Sequence, residues 1–238
     1  MPGEKEKELS PQTLAVPDGY FLMGDERGQD NEKPVHRVWV DRFLLGRFPA
    51  TNREYALYIE ENGAREPPFW REEMFSDPDK PVVGVSWHDA VAYCDWLCKR
   101  TGKPFRLPTE AEWERAARGG KEGEKYPWGD ELPLEKIYPG YDVATGGPER
   151  VGLNEPNGFG LYDMSASVHE WCGDFYDANY YLISPEKNPL GPSSGLRKVS
   201  RGGSWRHRIK FSRSAARSSL NPVFKYADYG FRVAMSLE

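Results

Sequence analysis

An α+β architecture in a single domain is what this sequence asks for, and three observations say so. Three stretches each carry a hydroxyl residue three places before an acid and then stop at glycine, the marks of short capped helices. Short runs of β-branched and aromatic residues, bounded by turn residues, read as strands. The remainder is rich in Gly (24), Pro (20), Trp (8), Tyr (13) and Phe (11), which describes long loops packed by large rings.

Residues 1–12 read as a loose charged tail, and 13–238 as the domain. Tyr20–Met23 is a strand closed by Gly24. Val35–Val40 and Phe43–Phe48 are two more, joined by a turn at Asp41-Arg42. The helix signals are Thr51/Glu54, Ser86/Asp89 and Thr109/Glu112, with stops at Gly63, Gly102 and Gly119. In the second helix Trp87, Ala90, Val91, Cys94, Leu97 and Cys98 share one stripe, so the two cysteines read as small core residues. In the third, Trp113, Ala116 and Ala117 face inward, and His88 lies at the surface of the second. From Lys121 to Asn157 no periodicity holds. A further loop runs from Asp174 to Gly195, Arg197–Gly203 is a strand entering a Gly-Gly bend, and Tyr229–Ala234 is the last strand.

Net charge is −5, with no basic face, which argues against nucleic acid as a partner. Three cysteines without framework spacing, no apolar leader and no run of about 18 apolar residues describe a protein of a reducing, cytoplasmic compartment without a membrane span. In Asn157–Trp171 a turn pair precedes two acids, Asp163 and Glu170, separated by small residues. That pattern suits either a hard cation such as calcium or two solvated acids on a surface loop.

A series of motifs resembles one family in one order. Phe21-Leu22-Met23-Gly24, Pro34-Val35-His36, Pro49–Tyr55, Pro81–Trp87 and Arg106–Gly120 come first. NGFGLYDM, VHEW, Arg201–Trp205, Arg213–Arg217 and Tyr229–Ala234 follow. The chain looks like the domain of formylglycine-generating enzymes, the sulfatase-modifying-factor domain, over residues 20–235. The resemblance implies a C-type-lectin-like fold with small distorted antiparallel sheets, two to three helices and long ordered loops. It does not by itself give function.

The oxidases of that family hold copper with two cysteines between the GGSW/Y and AAR segments. Here Arg206–Ser214 contains none, so formylglycine generation by that chemistry is not expected, nor is copper or iron. The resemblance assigns a structural calcium to Asp163, Glu170 and the carbonyls of Ala166 and Val168. It assigns a ligand pocket to His169, Ser204, Trp205, Arg206 and His207. Arg206, Arg208, Lys210 and Arg213 make the mouth basic, which favours a small anionic or peptide ligand, or a protein partner, for a monomer. Two readings stand. The first is a non-catalytic ligand- or protein-binding member. The alternative is a metal-dependent oxidoreductase in which His169 and His207, with His36 as a third ligand, replace the thiolates.

Overall fold

A computed structural model describes residues 10–131 and 147–237. Most of the expected tail, residues 1–9, lies outside the described residues, as does much of the loop expected between Lys121 and Asn157.

Ten strands and three α-helices follow in chain order. β1 (Thr13–Val16), β2 (Gly19–Met23), β3 (His36–Val40) and β4 (Phe43–Gly46) come first, then α1 (Asn52–Asn62) and α2 (Trp87–Thr101). β5 (Phe105–Arg106) and α3 (Glu110–Arg118) lead to β6 (His169–Phe175), β7 (Lys198–Arg201), β8 (Arg217–Leu220), β9 (Tyr229–Gly230) and β10 (Ala234–Ser236). They make three sheets: β1-β4-β10-β5, β2-β3 and β8-β7-β6-β9. Every pairing is antiparallel except β6 with β9, which sets His169 beside Tyr229 and Glu170 beside Gly230.

The helices begin and end where the sequence puts them. Thr51, Ser86 and Thr109 each accept the N3 amide while the N3 acid returns to the cap amide, and Asp89 closes its box as completely as the two glutamates do. Gly63, Gly102 and Gly119 are left-handed at the C-caps. Cys94 and Leu97 are buried in one apolar cluster with Tyr55, Tyr93, Phe105 and Phe231. His88 is exposed.

Three expectations change. The strands β3 and β4 do not pair as a hairpin, because β4 pairs with β1 and β10. Between Asp41 and Arg42 the chain leaves the β2-β3 sheet and enters the β1-β4-β10-β5 sheet. The last strand is two strands, since Phe231–Val233 leave the ladders while the Arg232 side chain turns inward. Finally, α3 is not half-solvated: all nine residues, charged ones included, are buried. No helix among the described residues is long and apolar enough to cross a membrane.

Candidate functional site

Chain reversal after β7 builds the site. Gly202 and Gly203 take φ of 92° and 66°, and a Cβ on Gly203 would collide with Phe211 and Ser212, so only glycine lets the chain fold back over the start of β6. Trp205 N–H then donates to Ser167 O (2.9 Å) and His207 N–H to Ser204 O (3.0 Å). The Trp205 ring packs with Phe75, Val83 and Val168.

From the other side, the parallel β6–β9 pairing delivers Asp228. Its carbonyl accepts the His169 N–H at 2.8 Å. The His169 ring stacks on Tyr229 with centroids 4.7 Å apart, and its Nε2 lies 3.0 Å from Nδ1 of His207. One of those nitrogens must carry the hydrogen and the other accept it. The Asp228 carboxylate is fully buried. Oδ2 accepts from Ser204 Oγ at 3.0 Å and lies 3.7 Å from His207 Nε2, while Arg206 Nη2 sits 2.8 Å from Oδ1. His169 Nδ1 is buried without a partner among the described residues.

Burial drives the His169 pKa down to about 3, against the pull of Asp228, so the ring is neutral at physiological pH. Burial lowers His207 as well, again opposed by Asp228. His207 nevertheless keeps 38% of its side chain exposed, so the cluster has one wet side and one dry side.

Of the five expected pocket residues, His169, Ser204, Arg206 and His207 gather around Asp228, while the Trp205 ring packs on Phe75 beside them. His36 does not join them: its ring packs on Tyr181 and its Nδ1 bonds with Pro34 O. Asp228 takes the third place, which sequence reasoning missed. Its one visible signal was an acid directly before Tyr229-Gly230, and its role comes from long-range strand pairing. Of the basic mouth, Arg208 and Lys210 are exposed. Arg213 is a correction, since it is spent on a bidentate pair with Glu32 (2.6 and 2.7 Å) and on Asp25.

The expected calcium group has a different geometry. Asp163 and Ala166 both take φ of 56°, so Ala166 adopts the left-handed shape despite its Cβ. Asp163 Oδ2 accepts the Gly152 N–H at 2.8 Å, and burial pushes its carboxyl up to about 6. Glu170 is fully engaged. Its Oε1 accepts from Arg232 Nη2 at 2.6 Å, and its Oε2 from Arg232 Nε (2.6 Å) and Trp113 Nε1 (2.7 Å). A calcium ion placed at Glu170 would face a guanidinium, so these residues as arranged do not fit the ion.

The cysteines sit apart from this site. Cys94 and Cys98 lie on α2 and Cys172 on β6, none is paired, and burial raises the thiol pKa of Cys94 and Cys172. Such thiols are unreactive. A cavity of about 580 Å³ opens between α2 and the end of β10, lined by Trp87, Phe105, Arg106 and Asp174 among others. It does not include the histidine cluster.

Comparison with known proteins bears on this geometry. Residues 1–237 match the family model of the sulfatase-modifying factor enzyme 1-like domain. A formylglycine-generating enzyme from Streptomyces coelicolor is 34% identical, over 93% of this chain and 88% of that enzyme. The serine/threonine-protein kinase pkn1 of Chlamydia pneumoniae is 34% identical over 98% of this chain, which spans only 39% of that kinase's length. Among solved structures, PvdO from Pseudomonas aeruginosa superposes with a TM-score of 0.83 at 29% identity, over 95% of each chain. The α+β fold of C-type-lectin type expected from the sequence is the one observed.

Proposed function

The chain belongs to the family of the sulfatase-modifying factor enzyme 1-like domain, and from that premise we propose that it is a binding member of the family, recognising an acidic peptide segment without a thiolate-copper step. The observation that carries this reading is the content of Arg206–Ser214. Where the family resemblance puts two copper-holding cysteines, this interval has no sulfur. It presents the partly exposed His207 with the exposed Arg208 and Lys210. The three cysteines lie elsewhere, on α2 and β6, unpaired, with two of them buried, which supports the same reading. Exposed cationic donors suit carboxylates through charge-assisted hydrogen bonds.

Arg232 belongs to the same reading. Its guanidinium pairs with Glu170 from within the chain, which supports a fold held without calcium at Asp163 and Glu170. An oxidoreductase with histidines in place of thiolates would first need a metal at His169 and His207. Oxygen uptake by the metal-loaded protein with a cysteine-containing peptide would favour it.

The test uses a fluorescent oligoglutamate peptide. Anisotropy is expected to report binding that weakens as ionic strength rises from 50 to about 300 mM. The Arg208→Ala/Lys210→Ala double variant should weaken it by about tenfold, with inorganic phosphate a poor competitor. Unchanged binding in the double variant, or copper-dependent oxygen uptake with a cysteine peptide, would overturn the reading.

A further inference from the structure

The His169–His207–Asp228 cluster has more order than a peptide-binding pocket needs. One donor atom from each of the three residues falls within 4.8 Å of the other two. The closest pair, His169 Nε2 and His207 Nδ1, is separated by 3.0 Å. Two imidazoles bound to one ion at about 2.1 Å subtend roughly a right angle at that separation. Two histidines and one carboxylate with open positions form the donor set that first-row divalent metals take on one face of an octahedron.

The surroundings favour preorganisation. His169 is clamped by its stack on Tyr229 and by its backbone bond to Asp228. Asp228 is oriented by the Ser204 hydroxyl. Supporting bonds of this sort fix ligand orientation in metal sites. His207 is the member on the solvent side, with 38% of its side chain exposed, so an ion reaches the set from that face. His169 has one ring nitrogen buried without a partner, so the cluster as it stands is incompletely satisfied. One feature opposes an ion: Arg206 holds a positive charge 2.8 Å from Asp228 Oδ1. Its side chain is 42% exposed and can swing into water.

We propose that His169, His207 and Asp228 constitute a site for a divalent first-row transition metal, with the open coordination positions directed at the mouth formed by Trp205 and Arg206. No redox step is implied. The site would give an anionic group a metal to bind, in addition to the cations of the rim. It stands on the geometry of three side chains and does not depend on the peptide reading.

The probe is Co²⁺ alone, added to chelator-treated full-length protein and followed by its visible absorption, with Zn²⁺ by calorimetry. One Co²⁺ per chain with a ligand-field band in the visible is expected, displaced by Zn²⁺. His207→Ala removes an exposed ligand, should leave thermal stability within about 0.5 kcal/mol, and should weaken Co²⁺ by more than about tenfold. Asp228→Asn should do the same to the metal. Arg206→Ala should tighten it by relieving repulsion, and His36→Ala should change nothing. Absence of the band, or a band that survives His207→Ala, would overturn the site. Because oligoglutamate binding is measured without metal, its loss or retention reports on the function proposed above and not on this site.

Discussion

Two buried polar clusters hang on the same sheet, β8-β7-β6-β9, and they are built on opposite plans. Around α3, Glu110 takes a bidentate pair from Arg217 (2.7 and 2.9 Å). Glu114 accepts from Arg118, from Arg201 and from the Gly24 N–H. Arg201 also spends itself on the carbonyls of Ser214, Ala215 and Ala216, leaving only Nε unpartnered. This lattice is sealed, with both Glu114 and Arg201 at zero exposure. The histidine cluster, at the β6–β9 side, shares the sheet but not the closure. It has three titratable side chains, one of them with 38% of its side chain exposed to solvent. A closed ionic lattice fixes geometry, while an open one keeps bonding capacity for something that arrives from solvent.

The contrast is broken most directly inside the lattice. Glu114→Ala should cost about 3–5 kcal/mol in urea unfolding, because it strands Arg118 and Arg201 in the dry interior. A loss below about 1 kcal/mol would mean that the lattice is not sealed. Next in size is Arg232→Met, which leaves Glu170 charged and alone with Trp113 and should cost about 3 kcal/mol. In the wild type, added calcium or a chelator should leave Tm unchanged. A rise of several degrees with calcium would restore the ion to Asp163 and Glu170.

A test by pH rather than by truncation reads the lattice edge. Asp174 accepts the Glu110 N–H, and burial, then the charge of Glu110, pushes its carboxyl up to about 8. The folded state therefore holds a proton that the unfolded chain has released above about pH 4. Stability from this group is complete below that pH and is lost as pH rises through about 8, with a slope of at most about 1.4 kcal/mol per pH unit. Asp174→Asn should flatten that decline in urea titrations at pH 5, 7 and 9.

The helices were legible because their signals are local. Thr51, Ser86 and Thr109 meet their acids within one turn, and Gly63, Gly102 and Gly119 end them without help from elsewhere. The motif series likewise brought His169 and His207 together. Burial of α3 was hidden, since Glu110–Arg118 has the look of a solvated helix and the partner of Glu114 lies 87 residues on. Strands β1, β5 and β8, each two to four residues long, were missed for a related reason, and so was the seven-residue β6, whose acids and Gly173 hide it: each is defined by what it pairs with. Asp228 went unread because only the β6–β9 register turns it toward His169.

The turn at Gly202-Gly203 carries one more consequence. The loop it launches is anchored at its far end, where Ser165 Oγ donates to Ser212 O and Arg213 locks onto Glu32. With both feet pinned to the frame, the segment from Arg208 to Lys210 can be rewritten at small cost to the scaffold, while Trp205, Arg206 and His207 stay to pack Phe75 and to face the buried Asp228. A new recognition sequence grafted between those anchors would inherit a rigid platform already in place.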